Sequence, residues 1–217
     1  MNIEVNKTNV KVEGNNLVIE LTEELRKSLG MRQEKQLYEC KVGNVIVDNI
    51  GNEWYVVEQD IKNNRTKVWR KELLEKTYRF DKKSNDFRNS EIKNILNDET
   101  GNILNDIYKG FGKESVLVDT VNLLSLDGLN TYGTCDCKVH LGTFDDYRKA
   151  RKNGMFRTEN EKPFWLDTPN STNEGDSSSC VQFVYSGGDV DCGGCYWCDY
   201  GVRPFCSLES SICVSVE

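Results

Sequence analysis

An α+β chain built on antiparallel strands is what this sequence predicts, and three observations carry the expectation. Short β-branched and aromatic runs are punctuated by Gly and Asn. Two stretches in the middle place apolar residues at helical spacing. The last quarter breaks into brief strands separated by long loops rich in Gly, Ser and Cys. At 217 residues the chain suits one large domain, or a domain with a small appendage, and is long enough to bury a core.

Taken in order, residues 10–21 read as a hairpin: Val10, Lys11 and Val12 run into a Gly14-Asn15-Asn16 tip whose residues tolerate positive φ, and residues 17–21 return. Thr22 then caps a short helix that Gly30 stops. With few apolar residues, residues 1–39 read as an arm for docking or dimerisation, and residues 40–217 as the main domain. Strands are expected at 45–47, 53–57 and 66–70, with turns at 49–52 and 62–65 between them. Ser90 caps a helix carrying Ile92, Ile95 and Leu96, and a second helical face follows with Ile103, Leu104, Ile107, Tyr108 and Phe111. Residues 116–126 return to strand character, and Thr143 opens a helix with a capping-box pattern and acids in its first turn. Beyond Pro163, strands are expected at 164–166, 180–185, 201–208 and 212–216, with loops at 170–179 and 186–200.

Charge and cysteine are both placed unevenly. The net charge is −7, and the residues from Pro163 onward hold eight acids and one base, Arg203, so they carry that whole excess. Such a field repels phosphate backbones and excludes nucleic acid as a partner for this part of the chain; the plain alternative is a solvated, solubilising surface. No apolar run approaches the roughly 18 residues of a membrane helix, so membrane insertion is not expected. The first residues lack a basic start and an apolar run, so no secretory signal is read there, and the expected setting is the cytoplasm or a virion. Of nine cysteines, six (Cys180, Cys192, Cys195, Cys198, Cys206, Cys213) fall in the last 38 residues, where reduced thiols or a metal fit this setting better than a disulfide framework.

Several residues are candidates for chemistry. Cys192, Cys195 and Cys198 form a C-x2-C-x2-C string, and with Cys135 and Cys137 nearby they would supply thiolates for tetrahedral zinc, although C-x-C is an uncommon knuckle. Asp189, Asp191 and Asp199 are possible oxygen donors to calcium. Tyr196 and Trp197 stand beside glycines, where they either stack on a sugar ring or pack inward; inward packing is the expectation for Trp197. The single His140 reads as a surface residue or a local hydrogen-bond partner rather than a catalyst. Trp54 and Trp165 read as core, with Pro169 ending the Trp165 strand before a loop. Arg203, next to Pro204, reads as a structural cation paired with Asp167 or a neighbouring acid.

Five blocks resemble a known family in their order and spacing. Residues 51–57 (GNEWYVV) resemble a GxEWxVL strand, and residues 84–93 (SNDFRNSEIK) resemble SNDWxxSxIR with Phe87 in place of Trp. Residues 119–126 resemble DKVFLLS, residues 164–169 (FWLDTP) resemble WWLRSP, and residues 201–205 (GVRPF) resemble GVRPA. Together, over roughly residues 40–210, they look like a family of domains common in gut bacteria and their phages. That family is similar to the C-type-lectin-like fold of formylglycine-generating enzymes and of the variable proteins of diversity-generating retroelements. The resemblance implies a C-type-lectin-like fold with short antiparallel strands, a few helices and long C-terminal loops, and it brings no catalytic residues with it.

It also frames two functional expectations. Formylglycine-generating enzymes bind copper(I) through cysteines near the C-terminus, loosely as Cys192, Cys195 or Cys198 would here; that reading is a metal-dependent cysteine oxidase. Retroelement variation instead randomises adenines, turning Asn codons into Asn, Asp, Tyr, Ser, Gly, Cys and similar residues but never Lys. Residues 170–200 hold no Lys at all, and only Glu174, Gln182 and Trp197 lie outside the reachable set. An undiversified lectin-like loop explains the same composition, and either version predicts binding. The expectation is therefore a non-enzymatic domain that meets a protein or carbohydrate ligand on a cell surface through Asn170, Asn173, Asp189, Asp191, Tyr196, Trp197, Asp199 and Tyr200. It requires no cofactor, zinc or calcium being the alternatives, and residues 1–39 would serve virion assembly or self-association.

Overall fold

The computed structural model describes residues 9–13, 16–20, 32–156 and 162–216. The N-terminal hairpin forms as the sequence predicts, with β1 (Asn9–Glu13) antiparallel to β2 (Asn16–Glu20). The helix expected after Thr22 lies outside the described residues. The chain then supplies β3 (Gln33–Gln36), β4 (Val45–Val47), β5 (Glu53–Asp60) and β6 (Arg65–Arg70). Two helices follow, α1 (Glu91–Leu96) and α2 (Asn102–Phe111), then β7 (Val116–Leu117), β8 (Asp119–Asn122), β9 (Thr134–Cys137) and β10 (Val139–His140). The order ends with α3 (Phe144–Lys152), β11 (Phe164–Pro169), β12 (Cys180–Val184), β13 (Val190–Gly194), β14 (Phe205–Glu209) and β15 (Cys213–Val216). The protein is thus α+β, mostly antiparallel strand with few helices.

An eight-stranded sheet runs β10-β14-β6-β5-β4-β15-β3, with β7 added on β14. Its last strand, β15, lies between β3 and β4, so the sheet takes up chain from Gln33 onward, ahead of the boundary expected at residue 40. Leu37, just after β3, is wholly buried in the core. A separate three-stranded sheet, β11-β12-β13, carries the C-terminal loops.

Local chemistry explains the elements. The Ser90 hydroxyl accepts the Lys93 N–H to cap α1, and Thr143 and Asp146 cap α3 reciprocally. The turn between β4 and β5 is organised by Asp48, whose carboxylate accepts the N–H groups of Ile50 and Asn52 and the Trp54 indole N–H at 3.0 Å. Trp54 is therefore core, as expected, and its polar atom is satisfied there.

Two apolar clusters form. One contains Trp54, Phe80, Phe87, Leu96, Trp165 and Phe183; the other centres on Trp69, ringed by Phe156, Phe164 and Phe205 at 5.0–6.3 Å between ring centroids. All six residues of β11 are buried because it separates these clusters. Phe164 and Leu166 enter the second and Trp165 enters the first, as period-2 alternation requires. Pro169 ends β11 as the sequence indicated.

Two strand expectations change. Residues 116–126 are not one strand: after the short β7 and β8 the chain leaves the ladder, and Leu124 and Leu126 are exposed. Residues 190–194, expected as loop, form β13. Their Gly, Cys and Asp content has little strand propensity, but β12 pairs with all five of them.

Candidate binding surface

The three-stranded sheet builds the site. In its register Trp165 lies opposite Phe183, Phe183 opposite Asp191, and Val181 opposite Gly193. Opposed residues share a face, so Trp165, Phe183 and Asp191 line one side, and Cys180, Gln182 and Cys192 the other. Beyond β13 a turn closes with the Trp197 N–H on the Gly194 carbonyl at 2.9 Å. This turn drapes two adjacent aromatics over the two faces. A Cβ on Gly193 would sit 2.7 Å from the Trp197 ring, and one on Gly194 would sit 2.8 Å from the Tyr196 ring. The glycines leave room for both rings, so Trp197 lies on the strand rather than within the core. It is 44% exposed and Tyr196 55%, which corrects the expected inward packing of Trp197.

Tyr200 ties this turn to the interior. Its ring stands 4.4 Å from Trp165, 4.5 Å from Phe183 and 5.8 Å, edge-on, from Trp197. Tyr185, 46% exposed, meets Phe183 edge-on at 4.7 Å. The Trp165 indole N–H donates to the Tyr78 carbonyl, so the buried end of this aromatic chain is fixed. The outcome is a continuous series of rings that starts in the core and surfaces as Tyr185 and Trp197. Asp189, Asp191 and Asp199 are exposed around it. Burial first, then Tyr185, Asp191 and Asp199, push the Tyr200 phenol up to about 12.

The other half of the expected surface is largely structural. Asn85, wholly buried, donates from Nδ2 to the carbonyls of Ser171 and Cys180 and accepts the Tyr132 hydroxyl at 2.8 Å. That clamp buries Ser171 and Thr172 and leaves residues 173–176 exposed as a short tip. Asn173 is on the tip, whereas Asn170 Oδ1 accepts from Gln182 Nε2 and supports the sheet. Asn85 was not singled out in the sequence. Its position in the SNDF block was the available signal, but nothing local announces a clamp on a loop some 86 residues away.

The cysteines do not converge. Among the described residues, no group of three or more His, Cys, Asp or Glu is placed to hold a metal ion. Cys135 and Cys137 are buried on β9, Cys195 is buried at the end of β13, and Cys198 is exposed beyond it, so the zinc set drawn from them with Cys192 is not assembled. Asp189, Asp191 and Asp199 likewise form no calcium cage. Burial raises the thiols of Cys137 and Cys192 and, followed by the charge of Asp81, takes Cys195 up to about 11. A reactive thiolate needs the opposite shift.

Arg203 and Asp167 are both buried, but they are not each other's partners. His140 Nδ1 lies 2.6 Å from Asp167 Oδ2, and the Leu141 N–H takes Asp167 Oδ1. The Arg203 guanidinium is sandwiched between the Phe156 and Phe164 rings, 5.0 Å from each centroid, and burial pulls it down to about 10. Pro204, also buried, accepts the Arg70 N–H through its carbonyl. His140 is 3% exposed, which removes the surface reading and keeps the hydrogen-bonding one. Burial alone would depress its imidazolium, but Asp167 and Asp119 outweigh that and carry it up to about 9. Ser207 donates to Asp119 rather than to His140. A serine turned to a carboxylate rather than to the imidazole does not have the geometry of a nucleophile and its base.

A cleft of about 220 Å³ lies elsewhere, lined by Asn122, Leu124, Leu126, Thr143, Phe144 and Arg148. Its opposite charges, Asp145 and Arg148, are paired with each other. It contains none of the residues picked from the sequence. Comparison with family models, with curated proteins and with solved structures finds no match for this chain.

Proposed function

We propose that this protein is a non-enzymatic, C-type-lectin-like binding domain whose ligand, a protein or a carbohydrate on a cell surface, meets the Tyr185, Trp197 and Tyr200 face, with Tyr196 on the reverse side of the same turn. One observation carries the reading: aromatic rings that a protein would ordinarily bury stand exposed just after β12 and in the turn after β13, backed by a sheet anchored through Trp165. Tyr and Trp give large contact area at low entropic cost, and the Gly, Ser and Asp between them supply adaptable hydrogen bonding. Display on a phage particle, with the residues ahead of β3 attaching the domain to the virion, is the setting proposed for it, since β3 and Leu37 belong to the domain itself. A variable face of the retroelement type fits its composition. Among the described residues no helix is long and apolar enough to cross a membrane.

The test is a screen of purified protein against glycan arrays and bacterial cell surfaces, run beside a Tyr185→Ala/Trp197→Ala double variant. A ligand that the parent retains and the double variant binds at least tenfold more weakly is the expected result. If every ligand retained by the parent is retained equally by the variant, the face is not the binding surface.

A further inference from the structure

We propose that the occupant of this aromatic face is cationic: a lysine- or arginine-bearing segment of a partner protein. The inference rests on the reading of the face as a binding surface and adds the chemistry of what it takes. Tyr and Trp rings present negative π faces, and an ammonium or guanidinium over such a face is attracted by the ring quadrupole. Here the exposed rings are Tyr185 and Trp197, with Tyr200 between and beneath them. Asp189, Asp191 and Asp199 stand exposed in the same stretch of chain, and residues 170–200 hold five acids with no Lys, Arg or His. After burial, Asp191 and Asp199 are among the groups that raise the Tyr200 phenol.

Bases near this face have partners of their own, Arg151 among them: its guanidinium lies against Gly188, beside Asp189, and donates to the Phe156 carbonyl. Arg203, the only base from Pro163 onward, is buried between Phe156 and Phe164. Arg79, on the chain segment that bonds to this region through Tyr78 and Tyr200, donates from both Nε and Nη2 to Glu91. The face therefore presents ring surface and carboxylates together. A neutral sugar gains stacking and hydrogen bonds there but nothing from the excess charge; a cationic side chain gains from both. The rings lie on an open strand surface rather than around an enclosed cage, and the acids are spread over eleven positions of chain. That suits several basic side chains along a peptide better than one small ammonium ion.

Fluorescein-labelled hexa-arginine, its neutral hexacitrulline counterpart and a panel of neutral oligosaccharides test this, by anisotropy and glycan array, at about 50 and about 300 mM salt. Hexa-arginine is expected to bind at least tenfold more tightly than hexacitrulline and to weaken several-fold at the higher salt. Trp197→Ala and Asp191→Asn/Asp199→Asn should each weaken it about tenfold, whereas Asp145→Asn, an exposed acid on α3, should not. Loss of equal size in Asp145→Asn, equal binding of hexacitrulline, or no binding of hexa-arginine would overturn the proposal. Salt-independent binding of a neutral sugar that needs Trp197 would overturn the cationic occupant while leaving the face as a binding surface. Trp197-independent behaviour of every probe would remove both.

Discussion

At the scale of single residues, the buried charges decide most. His140, Asp167 and Asp119 lie together inside the protein, with Asp119 also reached by Arg65 at 3.2 Å and by the Ser207 hydroxyl at 2.6 Å. Each charge is tolerated because the others are there. Asp167→Ala should therefore destabilise the protein by about 3–5 kcal/mol, the range for removing one partner of a buried pair. The further change His140→Leu should recover part of that loss, since it takes away the stranded imidazolium. Urea unfolding of the two variants checks both statements, and a loss below about 1 kcal/mol in Asp167→Ala would show that the pair is not worth a buried ion pair. The sequence indicates that Arg203 is a structural cation paired with Asp167 or a neighbouring acid; of these, Asp167 is taken by His140 instead. Arg203 was visible as a lone base among acids; that a histidine 27 positions before Asp167 would take its carboxylate depends on β11 lying against the end of β10, where the Asp167 N–H meets the Gly142 carbonyl, which no local pattern reveals.

At the scale of elements, glycine placement governs where the aromatics go. Gly142 has φ of +82°, and a Cβ there would meet the buried Trp69 ring at 2.7 Å, so both backbone and packing oppose any other residue. Gly193 is in ordinary strand geometry, and its constraint comes from the exposed Trp197 ring at 2.7 Å and, less tightly, from Phe183 at 3.2 Å. Two outcomes should follow. Gly142→Ala should cost roughly 2–4 kcal/mol of stability, whereas Gly193→Ala should cost less than half as much and instead displace Trp197, weakening ligand binding several-fold. Thermal melts and binding titrations separate them; equal stability losses would show that Trp197 is held as firmly as Trp69. Most strands and all three described helices were legible from alternation, helical spacing and caps. β3, β9, β10 and β13 were not; β13 was missed because Val-Asp-Cys-Gly-Gly has no strand signature and becomes a strand only through its neighbour. For the same reason the acids and rings of the site could be picked out as residue types, but not the division that buries Asn170 support chemistry and exposes Trp197.

For the whole molecule, the same buried groups set a pH window. His140 is raised from 6.5 to about 9 on folding, so its contribution, of order 3 kcal/mol, is fully present below about pH 6.5 and is lost as pH rises through 9. Asp119 is lowered from 3.8 to about 2, so its contribution is present above about pH 4 and lost as pH falls toward 2. Cys195 and Cys206 are raised by burial, and an unfolded chain would ionise them first, which steepens the alkaline loss. Melting temperature should accordingly be highest between about pH 4 and 6.5 and fall by pH 9; a maximum at pH 8–9 would contradict the buried imidazolium. The position of β11 has a further consequence. Because that strand is the partition between both interiors, the platform beneath the exposed rings has no soft side on which to give way. Substitutions along the outer rim can then accumulate without loosening what supports them, while the partition itself tolerates almost none. Under the proposed binding role, a rim that tolerates change on a support that does not would let one scaffold carry different ligand-contacting residues.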